Sequence, residues 1–232
     1  MPKGLRSRPH KFGPNTEQRG PHQGGLVPDD LDNEAPSSDG LTRLAELTRG
    51  ILHRLSRPEY TFALAAWPPA IPRRRIKPCA LPVLRWLVEL AQTAPDFSSQ
   101  LVGELADIGP ALAWRQSYAV PLVTQAFLDN YGWTELVGPR GVFPASVFAC
   151  GFLLLGPSTF YPSHHHEAYE LYVPLAGVAS WQRGDRAWQP EKPGSLVIHA
   201  SGEPHAMQTG TSALLALYLW HSNDLLQSAK LN

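Results

Sequence analysis

A short stretch in the second half of the chain concentrates side chains that can bind a metal ion. It reads His164, one residue, His166, three residues, Glu170, one residue, Tyr172. Side chains alternate faces along an extended strand, so these even-numbered positions share one face and His165 points away. Imidazole and carboxylate together suit divalent Fe, Zn, Mn, Co or Ni. The spacing therefore predicts one divalent transition metal ion as cofactor.

Three ligands on one strand need a fourth from elsewhere, and two further histidines are candidates. His199 and His205 flank residues 200–204, whose Ser, Gly and Pro favour a turn. A hairpin there would return the chain beside the strand that ends at His199. The alternative interpretation is an incidental run of surface histidines, but spacing, shared face and a distant partner all favour a metal site.

The elements that must position these side chains are short and rich in β-forming residues from residue 147 onward. Runs of this kind, separated by Gly, Pro, Asp and Ser, predict a β-sandwich or a small barrel. The predicted strands are Val147–Leu155, Glu170–Leu175, Val178–Gln182, Ser195–His199, His205–Thr209 and Ala213–Trp220.

The first half of the chain is predicted to be helical. Apolar residues recur at helical spacing over Leu41–Leu55, and further helices are predicted over Leu81–Leu90, from Ser98 or Ser99 to Ala106, and over Pro121–Tyr131. The first forty residues hold six prolines and six glycines, which predicts a flexible tail. The predicted organisation is a flexible N-terminal tail (1–40), a helical region packing on the barrel (41–140) and a β-barrel with the metal site (141–232).

Composition excludes several classes of protein. Twenty basic residues balance twenty acidic ones, which argues against partners such as nucleic acid or a membrane surface. No apolar run approaches the roughly 18 residues that span a bilayer, and no signal-type stretch opens the chain. Two cysteines, Cys79 and Cys150, cannot form a disulfide framework. We therefore expect a cytoplasmic protein.

The histidine motif resembles the cupin superfamily. The first cupin motif is HxH, three residues, E, six residues, G, and the second is G, five residues, PxG, two residues, H, three residues, N. The matching positions are His164, His166, Glu170, Gly177, Gly194, Gly202 and His205. Ala200 and Thr209 replace the proline and the asparagine. The resemblance selects His205 as the fourth ligand and implies an all-β core, the small cupin barrel (double-stranded β-helix), preceded by several short α-helices.

The chain further resembles the cupin-type dimethylsulfoniopropionate (DMSP) lyases, and among them the DddL class. Tyr161 stands three residues before the first ligand, and Tyr172 stands two residues after Glu170. Residues 130–139, Asn-Tyr-Gly-Trp-Thr-Glu-Leu-Val-Gly-Pro, and the helical first half are similar to those lyases as well. The resemblance implies a carbon–sulfur lyase that cleaves DMSP to dimethyl sulfide and acrylate by β-elimination.

The residues match what that elimination needs. A metal bound to the substrate carboxylate stabilises the charge that develops there, and a base must take the α-proton. Tyr172 is the candidate catalytic base, because a nearby cation favours its phenolate. Tyr161 is the candidate substrate-binding residue, with the base role as its alternative. The sulfonium should prefer aromatic faces, for which the candidates are Trp133, Trp181, Trp188, Tyr218 and Trp220.

Two other functions remain open at this point. A site of three histidines and one glutamate also suits another cupin metalloenzyme, such as an iron dioxygenase or an isomerase. A cupin that binds a small ligand without catalysis is the third option. A homodimer is one possible assembly, because an open sheet edge favours pairing.

Overall fold

The computed structural model describes residues 38–69 and 73–232. The predicted flexible tail, residues 1–40, lies outside this part of the chain except for its last three residues. Among the described residues, no helix is both long enough and apolar enough to cross a bilayer. Both cysteines are free.

The helical elements lie mainly in the first half, as predicted. They are α1 (Ser38–Leu55), α2 (Thr61–Ala65), α3 (Leu87–Thr93), α4 (Ser99–Ile108) and α5 (Gln125–Leu128), with 3-10 turns at Pro58–Tyr60, Pro82–Trp86 and Gly109–Ala111. The predicted helix Pro121–Tyr131 is wrong in extent. Thr124 caps α5 by accepting the amide N–H of Phe127 on its hydroxyl at 3.1 Å, and Tyr131 already begins a strand.

The strands form two antiparallel sheets. They are β1 (Trp114–Arg115), β2 (Tyr131–Val137), β3 (Phe148–Leu155), β4 (Phe160–His165), β5 (Tyr169–Ala176), β6 (Ala179–Arg183), β7 (Gln189–Glu191), β8 (Val197–His199), β9 (His205–Thr209), β10 (Leu214–His221) and β11 (Lys230–Leu231). The first sheet has the order β1-β2-β3-β10-β5-β8, and the second has the order β11-β4-β9-β6-β7. Since β1 and β2 belong to the first sheet, the β-structure starts before residue 141, where the sequence placed the boundary.

One sequence expectation about the ligand strand is wrong. Residues 164–172 do not form a single strand, because β4 ends at His165 and β5 begins at Tyr169 in the other sheet. The chain turns between them, where Nδ1 of His166 lies 3.0 Å from the carbonyl oxygen of Ala168. The ligands therefore come from two sheets that face each other.

Apolar residues pack in two layers around the first sheet. Alternate residues of β5, such as Leu171, Val173 and Leu175, point away from the second sheet and pack against the helices. Tyr172, of opposite parity, belongs to a second apolar cluster that also contains Trp181 and Met207 from the second sheet. The strand period of two thus separates a structural face from the face that carries the candidate site.

The strand register brings the site residues into line. On the first sheet Glu170 lies between Trp220 of β10 and His199 of β8, and Tyr172 lies opposite Tyr218. On the second sheet His164 of β4 lies opposite His205 of β9.

Candidate metal centre and active site

The four predicted ligands meet in one buried cluster. His164, His166, Glu170 and His205 are each no more than 5% exposed. Oε2 of Glu170 lies 3.0 Å from Nε2 of His166 and 3.3 Å from Nε2 of His205. The rings of His164 and His205 are 4.1 Å apart between centroids, and one nitrogen from each of the three histidines lies within 4.8 Å of the others. Spacing of this order suits donors around one ion.

Each of the three candidate ligand histidines has its Nδ1 held by the backbone. Nδ1 of His164, His166 and His205 lies 2.9, 3.0 and 2.8 Å from a main-chain carbonyl oxygen. Those carbonyls belong to Pro162, Ala168 and Glu203. A carbonyl can only accept, so each Nδ1 carries a proton, and Nε2 is the nitrogen left to ligate an ion once it carries none. This is the arrangement that metal-binding histidines require.

The charges of the cluster also fit a divalent transition ion. Burial lowers the pKa of His164 to about 3, which keeps its imidazole neutral. Burial alone would raise the pKa of Glu170, but His166 and His205 beside it hold that pKa well below its ordinary value. Nε2 of His205 is buried without a hydrogen-bond partner. A neutral imidazole, an ionised carboxylate and a buried ring nitrogen without a hydrogen bond suit such an ion.

His199, the alternative fourth ligand, lies immediately beside the cluster. Its ring stacks on that of His205, with 3.9 Å between centroids and 13° between planes. It is fully buried, and neither ring nitrogen has a hydrogen-bond partner. One nitrogen lies within 4.8 Å of donor atoms of both Glu170 and His205. His199 is therefore not a core histidine with satisfied hydrogen bonds.

Tyr172, the predicted base, lies on the same side as the ligands. Its ring is 6.0 Å from that of His199 between centroids, and only 5% of the residue is exposed. Burial, followed by the charge of Glu170, raises the pKa of Tyr172 well above its ordinary value. In the chain without an ion, this phenol is therefore fully protonated at neutral pH.

Tyr161 belongs to a group of hydroxyls that the sequence did not reveal. Its ring stacks on His164, with 4.1 Å between centroids, and its hydroxyl lies 3.3 Å from that of Tyr118 and 3.2 Å from that of Tyr131. Tyr131 also contacts the hydroxyl of Ser117 at 3.0 Å. Tyr118 and Tyr131 lie far from the histidine motif in the chain, so no spacing pointed to them.

A cavity of about 240 Å³ is lined by Tyr131, Tyr161, His164, His166, Glu170 and Tyr172. Of the aromatic candidates for a sulfonium, Trp133, Tyr218 and Trp220 line it. Trp181 is fully buried in the core between the sheets, and Trp188 packs near Phe160 instead. The structure thus narrows the five candidates to three.

Trp220 has a second contact that the sequence did not predict. Its indole N–H donates to Oε1 of Glu170 at 2.5 Å, and its ring lies 4.4 Å from that of His166 between centroids. The opposite carboxylate oxygen of Glu170 is the one directed at the histidines. Trp220 therefore orients the carboxylate as well as lining the cavity.

A family model described as dimethylsulfoniopropionate lyase matches residues 60–216. The chain belongs to this family. It is 35% identical over 122 residues to a protein of Cereibacter sphaeroides named dimethylsulfoniopropionate lyase DddL, and the match covers 52% of this chain and 50% of that protein. The chain thus spans about half the length of this DddL relative. It is 29% identical over 138 residues to Dimethylsulfoniopropionate lyase DddQ of Ruegeria pomeroyi, covering 58% of this chain and 69% of that one.

Solved structures share the fold. One from a study of the DMSP lyases RdDddP and RnDddQII is 32% identical, with a TM-score of 0.76, and covers 84% of this chain and all of that one. The structure of DddQ from Ruegeria pomeroyi is 24% identical, with a TM-score of 0.73, over 84% and 98% of the two chains. The fold is that of a cupin, a β core preceded by helices, as the sequence predicted.

Proposed function

We propose that this protein is a metal-dependent DMSP lyase that forms dimethyl sulfide and acrylate. The observation that carries the proposal is the buried cluster of three histidines and Glu170 beside one small cavity, which Tyr172 also lines. Membership of the DMSP lyase family and the names of the DddL and DddQ relatives support the same substrate.

His164, His166, Glu170 and His205 would hold the ion. When bound, it supplies a Lewis acid for the substrate carboxylate and a positive charge that favours the phenolate of Tyr172. The donor set suits Fe, Zn, Mn, Co or Ni. The hydrogen bonds from Nδ1 to the backbone keep each imidazole in the tautomer that can ligate.

Tyr172 is proposed as the base. Its phenolate takes the proton on the carbon next to the substrate carboxylate, and the electron pair of that C–H bond forms the double bond of acrylate. The bond between the β-carbon and sulfur breaks, and its electrons leave with sulfur as neutral dimethyl sulfide. A neutral leaving group needs no acid, so one base is sufficient.

The remaining cavity residues are proposed to orient the two ends of the substrate. The hydroxyl of Tyr161, placed by Tyr118 and Tyr131, binds the carboxylate end. The rings of Trp133 and Tyr218 meet edge to face, 6.4 Å apart between centroids, and offer their surfaces to the sulfonium.

The first test is the release of dimethyl sulfide by metal-loaded protein and by its Tyr172→Phe variant. We expect wild-type protein to release it, and the variant to lose about 100- to 10,000-fold in kcat because general-base catalysis contributes that much. Headspace gas chromatography measures the product. Tyr169→Phe, on the outward face of the same strand, is the matched control and should keep full activity.

Two outcomes would contradict the proposal. Wild-type protein that contains metal and releases no dimethyl sulfide above background is not a DMSP lyase. A Tyr172→Phe variant with near-full turnover would remove Tyr172 from the base role and move the proposal to Tyr161. Substrate-dependent oxygen uptake would instead favour the dioxygenase alternative.

A further inference from the structure

The chain after β10 crosses from the first sheet to the second and comes to lie beside the metal ligands. This segment, residues 222–232, is here named the strap. It leaves the first sheet after His221 and ends as β11, which pairs with β4. Gln227, Ser228 and Ala229 in the strap line the cavity. The strap therefore forms one wall of the candidate site.

Strand β4 needs this partner because its pairing with β9 is interrupted. The register of that pairing shifts between Tyr161 and His164. Ser163, inside the interruption, is held from the other side: its carbonyl accepts the amide N–H of Asn232 at 3.0 Å, and its hydroxyl accepts Nδ2 of Asn232 at 2.7 Å. Oδ1 of Asn232 lies 2.6 Å from Nδ1 of His165. Asn232 thus fixes the residues on both sides of the first ligand.

Gln227 fixes the backbone next to the second ligand. Its Oε1 accepts the amide N–H of Glu167 at 2.7 Å. Its Nε2 donates to the hydroxyl of Ser222 at 3.1 Å and to the carbonyl of Asp224 at 2.7 Å, so the side chain is itself held in place. Glu167 directly follows His166, at the corner where the chain passes from one sheet to the other.

A guanidinium anchors the other end of the strap. Nη1 and Nη2 of Arg140 donate to the carbonyl oxygens of Leu225 and Leu226, at 2.7 and 2.6 Å. Arg140 lies in the loop between β2 and β3, so the strap is tied to the first sheet before it reaches the second. Its position is set at three separate places.

We propose, resting on the metal site of the proposed function, that Gln227 and Asn232 are positioning residues for the ion. By fixing the backbone around His164 and His166 they hold the two imidazoles ready, and this slows release of the metal. Groups that orient metal ligands from outside the first coordination sphere typically change metal affinity 10- to 100-fold. Neither residue touches the substrate carboxylate or the reacting atoms in this role.

The test is the rate at which a chelator removes Co(II) from the loaded full-length protein, followed by absorbance. We expect Gln227→Ala and Asn232→Ala to release the ion about 10-fold faster than wild type. Gln227→Glu keeps an acceptor oxygen for the Glu167 amide but loses both donations of Nε2, so it should release the ion at a rate between those of wild type and Gln227→Ala. Gln182→Ala is the matched control, since its side chain donates to the Arg186 carbonyl and does not line the cavity.

The assay separates failure of the inference from failure of the proposed function. Wild-type protein that binds Co(II), with alanine variants that release it at the wild-type rate, overturns the positioning role alone. Wild-type protein that binds no Co(II) overturns both. If Gln227→Ala fails to fold, Gln227→Met, which has nearly the same length but no oxygen, takes its place and should also release the ion faster.

Discussion

At the scale of single residues, the pKa values of the buried histidines make the stability of the metal-free protein depend on pH. In the metal-free protein, burial lowers the pKa of His164 to about 3, and burial and the nearby His205 lower the pKa of His199 well below its ordinary value. The unfolded chain then binds protons that the folded chain does not bind. His166 has the opposite sign, because the charge of Glu170 overcomes the effect of burial and raises its pKa.

We therefore expect the metal-free protein to lose stability as the pH falls. The contributions of His164 and His199 are fully present above about pH 6.5, the value for unfolded histidine, and decline below it. Each histidine adds up to about 1.4 kcal/mol per pH unit to the slope. His166, whose pKa is raised, has the opposite effect. Its contribution to stability is fully present below about pH 6.5 and is lost as the pH rises above that value. Glu170, whose pKa is lowered, adds a further loss below about pH 4.5.

Urea unfolding between pH 5 and 6.5 measures this slope. His199→Phe should reduce it by about one proton, and His53→Ala, which changes an exposed histidine on α1, is the matched control. The slope is the readout, so a uniform effect of the larger ring on stability does not disturb the comparison. An unchanged slope in His199→Phe would show that His199 is already protonated in the folded protein.

At the scale of elements, one turn joins β5 of the first sheet to β6 of the second and lies against the residue that precedes β10. Gly177 ends β5 with a φ of +77°, and a Cβ there would lie 1.9 Å from the carbonyl oxygen of Ala213. Backbone in the left-handed region costs a non-glycine residue about 1–2 kcal/mol. A Cβ at this position would also collide with the Ala213 carbonyl oxygen. The end of the neighbouring strand would therefore have to shift, which adds to the cost.

Gly177→Ala should therefore destabilise the protein by more than about 3 kcal/mol. The matched variant is Gly184→Ala, because Gly184 also has a positive φ, +53°, but open space where its Cβ would be. We expect that variant to lose only about 1–2 kcal/mol, from the backbone conformation alone. Chemical denaturation of the two variants gives the comparison, and equal losses would show that the β5 turn adjusts freely.

The elements also show where sequence reasoning succeeded and where it could not. The ligand types and their spacing identified the cluster, because few residues bind transition metals. The single-strand geometry used to align them was wrong, yet the residues converge because His164 lies in β4, His166 lies in the turn just after it, and Glu170 lies in β5. Strand β2 was missed because six of its seven residues are buried, so it lacks polar alternation. Contacts such as that of Trp220 depend on register, which no local pattern encodes.

At the scale of the whole molecule, the helices support the sheet that carries the site. The hydroxyl of Ser98, at the start of α4, donates to the carbonyl of Leu175 in β5 at 2.6 Å, and Ser98 is 1% exposed. The amide N–H of Ser98 is held in turn by the carbonyl of Pro95 at 2.9 Å. The predicted homodimer and the flexible tail stay predictions.

Ser98→Ala should cost about 1–3 kcal/mol, the usual penalty for removing one partner of a buried hydrogen bond. Ser99→Ala is the control, since its hydroxyl contacts only the Asp96 carbonyl near the surface. Thermal unfolding of the two variants measures the difference. A loss equal to that of the control would mean that helix and sheet associate through apolar contacts alone.

The division of the ligands between two sheets has a mechanical consequence. His164 and His205 belong to one sheet and Glu170 to the other, so an ion bound by all of them would cross-link the two sheets. Pulling the layers apart would then require breaking coordination bonds, and any free energy of binding becomes free energy of folding. Removing the metal from such a protein would lower the stability of the fold as well as abolish the reaction.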